Sequence, residues 1–259
     1  MRMATWAIVM TLAGASIAYA GWWGWGEQTD VTKDGAGTPI ATQSAAVAVK
    51  VPVGVSGTLP PGHPLNVQAF DRVMGQADAP VTMIEYASLT CSHCAEFHTT
   101  TLQQVKVEWV DTGKVKYVLR DLPWDNLALG MAKISRCADP AMFYPLVGAF
   151  FEAQKDIMTG VDTLGEIKQV ARMAGLDGAK VDACIADAPL QALIVGVKEN
   201  GLSQLRITGT PTSFINGVRV DGAQPYKDVK PVLEAAYAAA MVAKAEEVKQ
   251  AVPAAPQAQ

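Results

Sequence analysis

The sequence has no concentrated run of positive charge. Its 259 residues contain 21 Lys and Arg against 25 Asp and Glu, which gives a net charge of −4, and no basic stripe runs along the chain. Because phosphate binding needs clustered positive charge, nucleic acid is excluded as an expected partner. The sequence also lacks an internal repeat at a fixed spacing, so a solenoid or propeller is not expected.

Cysteine and histidine are scarce, with four and three residues. Cys91 and Cys94 form a C-x-x-C pair in "LTCSHCAEFH", whereas Cys137 and Cys184 lie far from this pair and from each other. A structural zinc site commonly takes its ligands from two close pairs, so this spacing does not favour zinc, and we expect no metal or cofactor. An inert C-x-x-C disulfide would close too small a loop to add much stability.

One long N-terminal stretch lacks charge altogether. Arg2 precedes the uncharged residues 3–25, the arrangement of an export signal. Ala18 and Ala20, on either side of Tyr19, place small residues at both positions of a cleavage site. The length of the run and the tryptophans near its end suit a membrane span instead. We interpret residues 1–25 as a signal peptide or an N-terminal membrane anchor, and in both cases expect an exported chain in an oxidising compartment.

The composition divides the rest of the chain into a linker, a domain and a tail. Residues 26–66 are rich in Gly, Pro, Ser, Thr and Ala and show no sustained period, which predicts a flexible linker. Residues 251–259 have similarly low complexity and are predicted to be a disordered tail. The domain is therefore expected at residues 67–250.

The domain begins with a strand, a helix and a strand. Residues 79–88 are β-rich and apolar, an apolar pattern at helical spacing ends at Gly113, and residues 114–123 form a second buried strand. This order predicts a βαβ unit with parallel pairing.

A long helical section is predicted over about residues 124–204. Within it, Thr163 and Glu166 are interpreted as a capping box, the signature of a helix start. A hairpin marked by Asn216-Gly217 and a final amphipathic helix follow. The whole order predicts one α/β domain with a helical subdomain.

The cysteine pair lies where the first strand gives way to the helix. At a helix N-terminus, unpaired N–H groups and the macrodipole favour an anion, so the pKa of Cys91 is expected to fall. Cys94 lies one turn further in and can close the disulfide, and a donor on His93 can further favour the thiolate. Since a stabilised thiolate makes the disulfide a stronger oxidant, the pattern indicates thiol–disulfide exchange.

The stretch "GQADAPVTMIEYASLTCSHCAEFH" resembles the active-site region of the DsbA family of thioredoxin-fold thiol–disulfide oxidoreductases. Residues 120–138 resemble the start of the family's helical insertion, and residues 209–217 resemble the segment with its cis-proline. The resemblance covers roughly residues 70–245. It implies an α/β fold, namely a thioredoxin fold with an inserted all-helical subdomain.

The resemblance also implies roles for single residues. The redox-active pair is Cys91 and Cys94, the cis-proline is Pro211 with Thr210 before it, and both of the latter are expected to bind substrate. Glu85 matches an acidic residue that assists proton transfer in the family.

The dipeptide inside the pair is Ser92-His93, whereas the family most often has Pro-His. Because this dipeptide tunes the redox potential, we include both residues in the expected catalytic set.

Simpler interpretations of four features remain open at this stage. Glu85 also fits a surface position on an alternating strand, and Pro211 an ordinary strand edge. His98 is more typical of a packed or solvated helix residue than of a participant. Residues 141–151 fit the core of the insertion or an exposed groove for a substrate or partner.

The two remaining cysteines are expected to form a structural disulfide, Cys137–Cys184. Both lie in the helical section, the cysteine count is even, and an exported chain rarely leaves such thiols free. The alternative is two buried thiols.

The expected function is that of an exported thiol–disulfide oxidoreductase that introduces disulfide bonds into exported cysteine-containing proteins. The family resemblance implies a periplasmic location, with or without an inner-membrane anchor formed by residues 3–25, and a membrane partner that reoxidises the pair. A disulfide isomerase or reductase of the same fold, and a non-catalytic chaperone, are the alternatives.

Overall fold

A mixed β-sheet forms the centre of the protein, for which a computed structural model describes residues 62–251. Its strands are β1 (Val73–Met74), β2 (Val81–Ala87), β3 (Val115–Asp121), β4 (Thr212–Ile215) and β5 (Val218–Asp221). Their spatial order is β1-β3-β2-β4-β5, with β2 and β3 parallel and every other neighbouring pair antiparallel. The predicted parallel pair and hairpin are therefore confirmed, and the two-residue β1 is an addition.

The helical segment after β2 is interrupted. It consists of α1 (Ser92–Thr99), α2 (Thr101–Val105) and a π-helical turn over Lys106–Val110. The expectation of one uninterrupted helix is wrong, because the chain bends at Thr100, whose φ is −119° and ψ −76°. The hydroxyl of Thr100 donates to the carbonyl of Glu96 at 2.6 Å. Short hydroxyl side chains that bond back in this way compete with regular helix geometry.

The inserted subdomain is entirely helical. It contains α3 (Asn126–Cys137), a 3₁₀ turn (Pro140–Met142), α4 (Phe143–Glu152), α5 (Gln154–Thr159), α6 (Thr163–Met173), α7 (Gly178–Ala186) and α8 (Ala188–Gln204). The predicted capping box is wrong by one residue, because the N-cap of α6 is Asp162 and not Thr163. The carboxylate of Asp162 accepts from the backbone N–H of Gly165 at 2.9 Å. The last helix of the fold is α9 (Tyr226–Ala251).

The sheet is covered on both faces. Met83 of β2 belongs to the larger apolar cluster, together with residues of α1, the insertion and α9, while Ile84 and Tyr86 belong to a smaller cluster with residues of α8. Alternation along β2 therefore directs Glu85 to the same covered face as Met83. Glu85 is 0% exposed, so its interpretation as a surface residue is wrong.

The insertion has an aromatic core. Phe143, Phe150 and Phe151 of α4 are buried and form part of the larger apolar cluster. The interpretation of residues 141–151 as core is therefore confirmed for these aromatic side chains.

Cys137 at the end of α3 is bonded to Cys184 of α7, across 47 positions of the chain. This bond links two helices of the insertion.

A buried arginine attaches the chain ahead of β1 to the sheet. Arg120 of β3 is 2% exposed and forms a bidentate pair with Asp71, at 3.0 and 2.7 Å. It also donates to the Tyr86 hydroxyl at 2.9 Å, to the Asn66 carbonyl at 2.7 Å and to the Pro64 carbonyl. The segment immediately before the domain is thereby held against β3.

Several predictions concern residues that the structure does not describe. The signal peptide or anchor at 1–25, the linker as far as residue 61 and the tail from residue 252 lie outside the described residues and stay predictions. Within residues 62–251, no helix has the length and apolar character needed to cross a membrane.

Candidate active site

The C-x-x-C pair lies at the start of α1. Cys91 is the N-cap, with extended backbone angles (φ −81°, ψ 117°), and Cys94 follows within the first turn. Both thiols are free; Cys91 is half-buried and Cys94 is 0% exposed. The helix start thus presents one sulfur to solvent and holds the other inside the protein.

Hydrogen bonds around Cys91 favour its ionised form and lower its pKa to about 5. The largest contribution is the hydrogen bond from Cys94, followed by the Thr210 side chain and the backbone N–H groups of Cys94 and His93, while partial burial acts in the opposite direction. These donors satisfy a negative sulfur at a helix N-terminus.

Burial has the reverse effect on Cys94. Removal from solvent raises the pKa of this thiol far above its ordinary value, and the hydrogen bond to Cys91 and the charge of Glu85 add to the effect. A charged sulfur at this position is therefore disfavoured. The two cysteines are matched as an ionised, accessible thiolate and a neutral, buried thiol.

Thr210 faces the sulfur of Cys91 from the loop before β4. The peptide bond between Thr210 and Pro211 is cis. The Thr210 carbonyl oxygen accepts from the Cys91 thiol at 3.2 Å, and the Thr210 hydroxyl accepts from the indole N–H of Trp124 at 2.9 Å. Since that hydroxyl proton is not used by the indole contact, it can be donated to the thiolate.

An open cleft of about 530 Å³ adjoins Cys91. Its lining includes Thr90, Ser92, Trp124, Asp125 and the 208–210 loop. Trp124 is 45% exposed, so its ring offers apolar surface next to the reactive sulfur.

His93 contributes through its backbone rather than its ring. Its backbone N–H helps to stabilise the Cys91 thiolate, whereas the imidazole is 73% exposed and lies 3.7 Å from the carboxylate of Glu96. The expected help from a side-chain donor is replaced here by a main-chain donor.

A buried polar cluster lies beneath α1. Glu85 Oε2 accepts from the Tyr117 hydroxyl at 2.5 Å and lies 3.3 Å from Nε2 of His98. The other oxygen, Oε1, is the one buried side-chain polar atom in residues 62–251 without a hydrogen-bond partner. The charge of Glu85 acts on Cys94, so the cluster and the buried thiol share one environment.

Sequence reasoning did not assign Tyr117 or Gln154 to the site. Gln154 of α5 is 6% exposed, and its amide donates to the carbonyls of Leu89 and Cys91 at 2.9 and 3.1 Å. For Tyr117 a signal existed, since the alternation of β3 places it on the covered face beside β2. No local pattern identifies Gln154, because its partners are more than 60 positions away.

Within the described part of the chain, no group of three or more His, Cys, Asp or Glu side chains is arranged to hold a metal ion.

The fold and the site together define a thioredoxin-fold protein with a C-x-x-C pair at a helix start and an inserted helical subdomain. The family model described as thioredoxin matches residues 68–235. The crystal structure of Wolbachia pipientis alpha-DsbA1 superposes with a TM-score of 0.65 at 30% identity, covering 69% of this chain and 96% of that one. The chain belongs to the thioredoxin family, in its DsbA-like group.

Several curated relatives have names that refer to disulfide chemistry. A protein-disulfide oxidoreductase of Rickettsia bellii is 25% identical over 157 residues, which are 60% of this chain and 61% of that relative. Disulfide bond formation protein D of Bacillus subtilis is 23% identical over 168 residues, 62% of this chain and 75% of that protein. The match thus spans about three fifths of the Rickettsia relative's length.

Proposed function

We propose that the chain is an exported thiol–disulfide oxidoreductase that introduces disulfide bonds into cysteine-containing proteins. The observation that carries this proposal is the contrast within the pair. Cys91 is half-exposed in an open cleft with a pKa near 5, and Cys94 is buried with a raised pKa. With this asymmetry, a substrate thiolate can attack the accessible sulfur of Cys91. Cys94 is then the leaving group, and it re-forms the disulfide with Cys91 on reoxidation. The names of the curated relatives support the same chemistry.

The oxidising reaction proceeds in two exchanges. A substrate thiolate attacks the Cys91 sulfur of the oxidised pair, the bond to Cys94 breaks, and Cys94 leaves as a thiolate that takes up a proton. A second substrate thiolate then attacks the substrate sulfur of the mixed disulfide, which forms the substrate disulfide and releases the Cys91 thiolate. Two electrons pass from substrate to protein. Because the Cys91 thiolate is stabilised, the reduced pair is favoured and substrate oxidation is promoted.

The remaining site residues have supporting roles in this proposal. Thr210 and Pro211 receive the extended substrate backbone beside Cys91. Glu85 exchanges a proton with Cys94, whose surroundings disfavour its charged form. Ser92 and His93 set the redox potential through the backbone geometry of the first helical turn.

Location and reoxidation complete the proposal. The chain is exported to the periplasm, either released by cleavage after Ala20 or held at the inner membrane by residues 3–25, and a membrane redox partner reoxidises the pair. Fractionation of the native protein tests this part: an anchored chain stays in carbonate-washed membranes, and a cleaved one is soluble and begins at Gly21. Recovery of the uncleaved chain from the cytosol would contradict export.

The direction of catalysis is tested with the oxidised protein and a peptide that contains two thiols. We expect stoichiometric oxidation of the peptide by the wild-type protein and none by Cys91→Ala. Equilibration with glutathione then gives the redox potential, which separates an oxidase from a reductase, and refolding of a scrambled disulfide protein measures isomerase activity. A strongly reducing potential would contradict the oxidase direction. If the Cys91→Ala variant still assisted protein refolding as well as the wild type, the function would be that of a non-catalytic chaperone.

A further inference from the structure

His98 lies in the buried polar cluster beneath the active-site helix. It is 5% exposed, and its Nε2 is 3.3 Å from both Glu85 Oε2 and the Tyr117 hydroxyl. The ring of Phe151 packs against the imidazole, with 4.2 Å between centroids. These contacts hold one ring nitrogen against the carboxylate of Glu85.

The same histidine also lines a second pocket, of about 310 Å³, which shares no lining residue with the substrate cleft. Within residues 62–251, Glu85 Oε1 is the one side-chain nitrogen or oxygen that is both buried and unpartnered. Nδ1 of His98 has no hydrogen bond in that part of the chain and does not belong to that class of atom, so it keeps some exposure to solvent, and we assign this exposure to the pocket that His98 lines. One imidazole thus connects the buried carboxylate with a second opening.

Cys94 is a buried leaving group, so the reaction needs a route by which protons pass between this sulfur and solvent. Cys94 and Glu85 are each 0% exposed, so neither exchanges protons with bulk water directly. Yet each reduction of the pair delivers one proton to Cys94, and each reoxidation removes it. Of the two side chains in residues 62–251 that bond or pair with the Glu85 carboxyl, Tyr117 and His98, only His98 lines the second pocket.

We propose that His98 relays protons between solvent in the second pocket and Glu85, and that Cys94 is protonated by this route rather than through the substrate cleft. This inference rests on the proposed function. When the Cys94 thiolate leaves, the Glu85 carboxyl gives it a proton and becomes a carboxylate. Nδ1 of a neutral His98 that carries its proton on Nε2 takes a proton from water in the pocket, and Nε2 then gives its proton to Glu85, which leaves the imidazole neutral with its proton on Nδ1. Reoxidation runs the same transfers in reverse.

The other ionisable groups near His98 do not replace it. Tyr117 of β3 stays a neutral donor to Glu85, since burial raises the pKa of its phenol well above the ordinary value. In the pocket, Tyr144 of α4 donates to the Arg72 carbonyl at 2.5 Å, and Lys106 pairs with Asp111 at 2.8 Å.

Glu152 completes the set of ionisable groups in this pocket and is exposed at its rim. The imidazole is therefore the proton-exchanging group between the pocket and Glu85.

The test measures how fast dithiothreitol reduces the oxidised pair in three variants. His98→Ala leaves a space that opens to the pocket, His98→Phe fills it with a ring that carries no proton, and His63→Ala removes a histidine outside the site. We expect both His98 variants to react at least roughly tenfold more slowly, a smaller effect than the roughly 100-fold or more that loss of a direct general acid costs, because Glu85 remains in place. Added imidazole should restore the rate of His98→Ala but not of His98→Phe, while His63→Ala behaves as wild type.

Two results would overturn the relay. One is an unchanged reduction rate in both His98 variants. The other is a slow His98→Ala variant that imidazole does not accelerate, which would make His98 a structural residue. Because dithiothreitol reduces the pair whatever its natural direction, this outcome is independent of the peptide-oxidation assay that judges the proposed function.

Discussion

The carbonyl oxygen of Thr210 lies 3.2 Å from the sulfur of Cys91, although 119 positions of chain separate the two residues. The loop is fixed because the carbonyl of Pro211 accepts from the N–H of Gly222 at 2.8 Å. A neutral Cys91 thiol donates to the Thr210 carbonyl, and the thiolate cannot. In both the thiolate and the disulfide form of Cys91 this carbonyl is therefore free, and in the proposed reaction it can accept a backbone N–H from a substrate.

The pKa of Cys91 should depend most on Cys94. We expect a midpoint near 5 in the reduced wild-type protein, followed by the ultraviolet absorbance of the thiolate with Cys91→Ser as the blank. Cys94→Ala should raise this midpoint, because it removes the largest contribution to the shift. Thr210→Val keeps the carbonyl but loses the hydroxyl and should raise it by less. A wild-type midpoint at the ordinary thiol value would contradict an activated sulfur.

The same shift makes the stability of the reduced protein depend on pH. The folded pKa of Cys91, about 5, lies below its ordinary value of 9.0, so ionisation favours the folded state. This contribution is fully present above the ordinary value and is lost as the pH falls toward 5. The reduced protein should therefore gain stability relative to the oxidised protein between about pH 5 and 8. Urea unfolding of both forms across this range measures the difference, and parallel curves would contradict it.

Above about pH 8, the shifted pKa of Cys94 lowers the stability of the reduced protein instead of raising it. Its pKa is raised in the folded state, so an unfolded chain ionises this thiol first, which favours unfolding at high pH. The comparison is therefore confined to pH values below the ordinary thiol value.

Glu85 should reduce stability while it serves the reaction. Its Oε1 is buried without a partner, and a buried group of this kind costs about 1–3 kcal/mol. Glu85→Leu removes that group, and the Tyr117 hydroxyl keeps Nε2 of His98 within reach at 3.3 Å. We expect the oxidised variant to be more stable by about 1–3 kcal/mol in urea unfolding, and its reduction by dithiothreitol to be slower.

The matched control for this change is Glu96→Leu. The side chain of Glu96 is 66% exposed in its contact with His93, so its replacement should change the free energy of unfolding by less than about 0.5 kcal/mol. If Glu85→Leu lowered the stability instead, the carboxylate would be a net stabilising group.

Local patterns in the sequence were sufficient for the central strands, the hairpin at Asn216-Gly217 and the cysteine pair. Each depends on neighbours in the chain: alternation, turn chemistry and a strand followed by a helix. The break at Thr100 escaped prediction because side-chain hydroxyls overrode the apolar period. Gln154 and the Trp124–Thr210 contact could not be predicted, since they depend on tertiary packing that brings distant segments together.

The Cys137–Cys184 disulfide should stabilise the insertion. A loop of 47 positions corresponds to roughly 4 kcal/mol in the chain-entropy model. We expect a Cys137→Ala/Cys184→Ala double variant to lose about that much stability in urea, with the active-site pair still oxidised. Thiol titration of the unfolded wild-type protein should give two thiols after mild reduction and four after strong reduction. Four thiols without reductant would show that the bond does not form.

Arg120 should make two separable contributions, one to the buried ion pair and one to the segment ahead of β1. Arg120→Met leaves the side chain of Asp71, which is 0% exposed, without its counter-ion, and loss of one partner from a buried pair costs about 3–5 kcal/mol. Adding Asp71→Leu removes the unpaired charge and should recover most of this loss. Arg219→Met, whose pair with Asp221 is largely exposed, is the control and should cost less than about 1 kcal/mol.

The second contribution of Arg120 should not be recovered by the double change. The carbonyls of Pro64 and Asn66 accept from the guanidinium, and both variants remove that donor. Hydrogen exchange and limited proteolysis at residues 62–71 should therefore be faster in Arg120→Met and remain faster after Asp71→Leu is added, even though unfolding in urea returns toward wild type. If the double variant restored protection of this segment as well, the Asp71 pair alone would hold it, and the carbonyl contacts would contribute nothing.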